Sequence, residues 1–175
     1  MKKRKFTTNQ GIEFFHLIGE KEEEETMKSI SANFYSIKEN DVLLFVHVTK
    51  TENVDSILEK GLISGSGHFG EGVYVCSFDY IESLKAFMSF VYNIYIEKPF
   101  ADLSFVIGAY SGEYLRCLYG DLGHTGYILI EKNVNKEDIL CAKKIDKEEF
   151  LEFSLESLRD YLNLEIEKKI FQEKS

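Results

Sequence analysis

"VLLFVHVTKTENVDSILEKGL", residues 42–62, decides the architecture. Its first seven residues are an unbroken apolar run apart from His47, and they read as a strand buried on both faces. Just behind it, Val54, Ile57 and Leu58 recur at the spacing of one helical face, and Thr51 stands where an N-cap is wanted. Gly61 supplies the left-handed stop, and Leu62 can pack back on the turn before it. One feature does not follow from this pattern. An apolar strand ends in His47-x-Thr49, with a helix placed immediately behind it.

Outward from this unit, strands and helices continue to alternate. "GVYVCSF" (72–78) reads as a second strand. Asp79 caps a longer helix with Glu82 at the third position, and Ile81, Leu84, Met88, Val91 and Tyr95 form its apolar stripe. "LSFVIGAY" (103–110) and "YILIE" (127–131) are strands separated by a glycine-rich segment, and "DILCAKKI" (138–145) is another. From Lys147 onward the pattern is one amphipathic helix, with Leu151, Leu155, Leu158, Leu162, Ile166 and Ile170 at spacings of three and four. That stripe either packs on the core or meets a second copy of the chain as a homodimer. Residues 1–40 are set apart as a helical, charged extension carrying "FFHLI" and the acidic run "GEKEEEE" (19–25), a solvated face or helix start. The core is expected over 41–146 and the C-terminal helix over 147–175.

Composition narrows the classes. A chain of 175 residues with 44% apolar and 14% aromatic residues forms one globular domain. A net charge of −9 argues against a phosphate-neutralising surface, which needs clustered Lys and Arg. Lys2, Lys3, Arg4 and Lys5 are followed by no apolar region of a signal peptide, and no apolar stretch is long enough to span a bilayer. Cys76, Cys117 and Cys141 are widely spaced without a CxxC pair, as suits core thiols in a reducing compartment. The expectation is a cytoplasmic protein that uses no membrane.

The usual catalytic signatures fail in turn. "SGSGHFGEG" (64–72) holds four glycines in nine residues, but it precedes a strand, whereas a pyrophosphate cradle opens a helix after one. No Lys-Ser or Lys-Thr follows to make a Walker loop, and no serine elbow is present. His47 and His68 have no companions at ligand spacing, so no metal is expected.

What remains is "HVT" ending one strand and "FGEGVYV" (69–75) opening the next, a helix apart. Here the sequence resembles the ADP-ribosyltransferase superfamily. "HVTKTENVDSILEKGL" is similar to the opening of the DNA-modifying toxin branch and of the RNA 2′-phosphotransferases. "FGEGVYV" looks like the poly-ADP-ribose polymerase branch, and "GHTGYILIEKNVNKEDIL" (123–140) is similar to the polymerases' third segment. The resemblance covers about residues 41–146. It implies an α+β fold with a split, mostly antiparallel sheet, flanking helices and an NAD-binding cleft between the halves.

Carried over residue by residue, the resemblance gives His47 the adenosine ribose and the backbone at Val48, with Thr49 nearby, the nicotinamide carboxamide. Tyr74 would stack on the nicotinamide ring, since an aromatic face suits a flat cationic pyridinium. A neutral imidazole offers a ribose edge one donor and one acceptor. Gly72 opens the second motif, and the glycine loop would fold over the nucleotide, bringing His68 or Phe69 near it. The third motif departs from the pattern. Gly126, flanked by His124 and Thr125, stands where the polymerases carry their catalytic glutamate. The catalytic carboxylate then falls on Glu131, five residues later and roughly 16 Å along an extended strand, ahead of Glu113 or Asp121.

Three functions stay open. One is an NAD-dependent enzyme that mono-ADP-ribosylates an intracellular acceptor. Another is a module on the same fold that binds NAD, ADP-ribose or a protein without catalysis. The third is an RNA 2′-phosphotransferase, disfavoured by the charge and by the missing basic motif, which Arg116 and Lys132 do not reproduce.

Overall fold

The computed structural model describes residues 2–7, 13–18, 35–39, 42–67, 70–77, 81–119 and 127–174. In chain order the strands are β1 (Lys2–Thr7), β2 (Glu13–Ile18), β3 (Tyr35–Glu39), β4 (Val42–Lys50), β5 (Gly65–Gly67), β6 (Gly70–Ser77), β7 (Leu103–Ser111), β8 (Tyr114–Tyr119), β9 (Tyr127–Ile130) and β10 (Ile139–Lys144). The helices are α1 (Val54–Lys60), α2 (Ile81–Glu97), α3 (Lys147–Glu152) and α4 (Leu155–Lys174), with single 3-10 turns at Thr51–Asn53 and Lys136–Asp138. The protein is α+β. None of the described helices is long and apolar enough to cross a membrane.

The main sheet runs β10-β7-β4-β6-β9-β8-β3, with β5 attached to β6, and every registered pair in it is antiparallel. β4 lies in its interior, third in that order, and its two edges differ. On one side it pairs with β7 along its whole length, from Val42↔Ser111 to Lys50↔Leu103. On the other, among the described residues, it meets β6 only at Phe45↔Ser77 and Val46↔Cys76. Beyond Val46 the ladder stops, although both strands continue.

Alternation of side chains gives the sheet two apolar faces. On one, Val46, Cys76, Phe105 and Ile107 pack against Leu84, Phe87, Met88, Val91 and Tyr95 of α2. Phe150 of α3 and Leu158, Leu162 and Ile166 of α4 close the same core, with Phe105 at 5.5 Å from Phe87 and 6.1 Å from Phe150 between ring centres. On the other face Leu43, Phe45, Val73, Val75, Ile128 and Ile130 form a second core, capped by Leu62, Val134 and the side of Ile57. Three of the C-terminal stripe residues, Leu158, Leu162 and Ile166, are therefore used inside the molecule.

Local signals explain several boundaries. Gly61 ends α1 at φ 86°, its N–H bonded to the Ile57 carbonyl at 2.7 Å. A Cβ there would stand 2.1 Å from the Val134 carbonyl oxygen, so glycine is required twice over. Leu62 then pairs with Val134 and is buried, as expected. Thr51 does not cap α1. Its hydroxyl donates to the Asp102 carboxylate at 3.0 Å and lies 2.8 Å from the Ser104 hydroxyl, tying the end of β4 to the start of β7.

Other expectations need correction. The described parts of residues 1–40 are strands rather than helix, and β3 joins the main sheet, so the domain reaches back past residue 41. β8 lies within the segment read only as glycine-rich. The described part of the glycine loop is a β-hairpin, with Gly65↔Gly72 and Gly67↔Gly70 paired; His68, Phe69 and Asp79, the residue expected to cap α2, lie outside the described residues. Ile81 and Leu151 are exposed. The single C-terminal helix is two, because Phe153 turns extended and Ser154 caps α4 by accepting from the Ser157 N–H.

Candidate functional site

The unexplained histidine stands where β4 and β6 part company. Val46↔Cys76 is the last backbone pair, and the next link across the gap is made by a side chain: His47 Nδ1 lies 2.8 Å from the carbonyl oxygen of Tyr74. Two residues singled out from separate motifs, 27 positions apart in sequence, thus meet at one point. Past this contact, among the described residues, 48–50 of β4 pair only with β7, and Val73, Tyr74 and Val75 of β6 pair only with β9. The gap is a fork whose crotch is closed by an imidazole.

The hydrogen bond decides the chemistry of the ring. A carbonyl oxygen accepts and never donates, so Nδ1 carries the proton and Nε2 carries the lone pair. Burial holds the His47 pKa below its ordinary value of 6.5, partly opposed by the Tyr74 carbonyl. The ring is neutral at pH 7. It was expected to offer a donor and an acceptor to a ligand, but the donor is already spent on Tyr74, and an acceptor remains.

The neighbouring positions divide by face. Phe45, Val73 and Val75 belong to one core and Val46 and Cys76 to the other, so alternation puts His47 on the first side and Tyr74 on the second. The two meet through main chain rather than ring to ring, and a ligand touching both side chains has to lie in the fork. Val48 packs against the α2-side core, leaving its backbone as the group to offer. Thr49 Oγ1 accepts from Asn53 Nδ2 at 3.4 Å. Gly72 has a packing role: a Cβ would stand 2.4 Å from the Ile130 carbonyl oxygen and 2.5 Å from Leu129 Cδ1.

The base of the fork is fixed from behind. Ser83, fully buried on α2, accepts from the Ser77 N–H at 2.8 Å and hydrogen-bonds the Cys76 thiol. Burial pushes that thiol up to about 12, so Cys76 is inert. The sequence pointed to Cys76 as a core thiol but gave Ser83 no role; a polar residue on the apolar face of a helix was the available signal.

The two carboxylates are placed differently. Glu131 is exposed just past the end of β9, one residue beyond the Val73↔Ile130 pair. Strand spacing puts its backbone roughly 8 Å from that of Tyr74. Glu113 is exposed in the turn between β7 and β8, beside Val42 at the far end of β4, about five residues or roughly 17 Å of strand from His47. The structure thus sets Glu113 apart from the fork, while His124, Thr125, Gly126, Asp121 and His68 lie outside the described residues. Among the described residues no three His, Cys, Asp or Glu are grouped to hold a metal ion. Compared with protein-family models, curated proteins and solved structures, the chain matches none of them.

Proposed function

We propose that this protein is an NAD-dependent mono-ADP-ribosyltransferase acting in the cytoplasm on an intracellular acceptor, with the dinucleotide lying in the fork between β4 and β6. The observation that carries the reading is the His47–Tyr74 contact, because it joins the first and second motif of the resemblance at a break in an antiparallel sheet. The backbone of residues 48–50, unpaired on this edge, supplies the groups for an amide such as the nicotinamide carboxamide. Glu131 is the carboxylate assigned to the nicotinamide-side ribose, where a negative charge stabilises the developing oxocarbenium ion as the glycosidic bond breaks. Incubation with NAD while following free nicotinamide by chromatography tests the assignment. Release is expected, and His47→Ala should reduce it by about 100-fold; no release from wild-type protein overturns the activity.

A second reading keeps the fork and omits the chemistry. Both candidate glutamates are exposed, and Glu113 is far from His47. A protein that binds NAD or ADP-ribose without turnover accounts for that placement equally well. Saturable binding by calorimetry with no nicotinamide released selects it. A homodimer through the C-terminal helix is testable by sedimentation analysis, with Leu151 and Leu164 exposed on α3 and α4 among the described residues.

A further inference from the structure

The β4 arm of the fork is fastened at both ends. At the crotch His47 reaches the Tyr74 carbonyl, and at the tip, four residues or roughly 13 Å further on, Thr51 is bound through main chain and side chain. Its N–H donates to the Asp102 carbonyl at 2.9 Å. Its hydroxyl donates to the Asp102 carboxylate at 3.0 Å and lies 2.8 Å from the Ser104 hydroxyl. A hydroxyl has one proton to give, so with that proton on Asp102 the Ser104 hydroxyl is the donor to Thr51. The order runs from Ser104 to Thr51 to Asp102, and it ends on a carboxylate that Lys144 of β10 approaches at 3.4 Å.

Two features set this chain apart from an ordinary strand end. Ser104 is fully buried, and its described partner is Thr51. A buried hydroxyl left unpaired is costly, so Thr51 cannot swing away freely. Thr51 also leaves the helix behind it unserved: neither the 3-10 turn at Thr51–Asn53 nor α1 has a side-chain cap. A good capping residue turned away from a helix start breaks a local rule, and such departures gather at functional sites. Between the two fastenings lie Val48, Thr49 and Lys50, paired on one side with Phe105, Ser104 and Leu103 and facing the fork on the other. Strand ends open locally unless tied down, and opening here would displace the main-chain groups that face the fork.

Resting on the reading that the fork takes a dinucleotide, we propose that Thr51 is a positioning residue for it. Thr51 acts without touching the ligand. By joining the tip of the arm to β7 through Ser104, and to β10 through Asp102 and Lys144, it holds the main chain of residues 48–50 where an amide can meet it. Groups already in place bind without first being ordered, so loss of the hydroxyl is felt as weaker binding at a distance.

Thr51→Val keeps the branched shape and removes the hydroxyl. Calorimetric titration of the whole chain with NAD is expected to give a dissociation constant about tenfold above that of wild type, and Thr51→Ser should restore it. Amide exchange without ligand should quicken at position 51, whose N–H is bonded to Asp102, and stay unchanged at Leu43 and Leu44 at the other end of β4. If Thr51→Val fails to fold by circular dichroism, Asp102→Ala, an exposed change that removes the acceptor carboxylate, takes its place with the same expectation. Unchanged affinity in the folded variant overturns the proposal and leaves a dinucleotide site standing, because a merely structural hydroxyl would lower the melting temperature alone. A loss that Thr51→Ser does not restore also overturns it. Failure of the wild-type chain to bind NAD overturns the proposed function, and this inference with it.

Discussion

β4 is held in two unlike ways along its two edges. Toward β7 it makes nine registered pairs, with Phe105 and Val106 beneath them fully buried. Toward β6 it makes two among the described residues, and then an imidazole takes over from the backbone. The first edge is paired along its whole length and builds the fold. Among the described residues, the second leaves main-chain groups and one ring nitrogen open inside the sheet rather than at its rim. A central strand with an unfinished ladder is unusual, because edges are normally where unpaired groups are tolerated. The comparison separates residues that hold the molecule together from residues left over to hold something else.

The largest expected effect tests the finished edge. Phe105→Ala empties a site directly opposite Val48 and shared by Phe87, Phe150 and Tyr161. It should cost about 3–5 kcal/mol by urea unfolding. If it costs under about 1 kcal/mol, the β7 edge is not what stabilises the sheet. Next comes Gly72→Ala, whose new Cβ presses on the Ile130 carbonyl oxygen. A loss of about 1–3 kcal/mol is expected, together with weaker ligand binding as β6 shifts on β9.

His47→Ala removes a side-chain link across the fork and takes the imidazole donor away from the Tyr74 carbonyl. A loss of about 1–2 kcal/mol is expected, smaller than at Phe105, with nearly all dinucleotide affinity gone. Acidification gives a gentler probe of the same contact. Because the folded pKa of His47 lies below the unfolded value of 6.5, the unfolded chain takes up the proton first. Stability contributed by the neutral ring is therefore present above pH 6.5 and declines as pH falls through and below it. Urea midpoints at pH 7.5 and 5.5 should differ more for wild type than for His47→Gln. The smallest effect on stability belongs to Glu131→Gln, an exposed residue past a strand end, at within about 0.5 kcal/mol. Its value is the contrast: nicotinamide release should disappear while the melting curve stays put, and retained turnover would move the carboxylate role elsewhere.

How far these regions were legible in sequence follows from the range of the forces that build them. β4, α1 with its Gly61 stop, α2, β7 and β10 are written in local periodicity and caps, and they form about where the pattern places them. Thr51 misled because its hydroxyl finds Asp102 and Ser104, more than fifty positions away, before it finds the helix behind it. The break between α3 and α4 was hidden because Leu151, Leu155 and Leu158 keep a helical rhythm across it, while the Ser154–Ser157 cap says otherwise. The β5–β6 hairpin is made of backbone alone, so glycines that read as a loop give no sign of pairing. At the fork, His47 and Tyr74 could be marked as unusual, but the direction of their bond, and with it the tautomer, is a property of three dimensions.

The order of strands has a consequence for how the chain can be assembled at all. β10, β7 and β4 stand on one side of the fork, and β6, β9, β8 and β3 on the other, yet along the sequence these two sets alternate. No single cut in the polypeptide releases either set whole, so a fragment cannot fold as an independent half. β3, β4, β6 and β7 must each wait for a partner synthesised after members of the other set. Chains dominated by such distant pairings fold slowly, in milliseconds to seconds. The two-pair ladder at Phe45–Val46 closes one of the sheet's distant links with little enthalpy to offset the lost freedom of the intervening chain. Its formation is expected late, after β4 has joined β7, so the fork would be the last part of the sheet to set during folding and the first to loosen under denaturant.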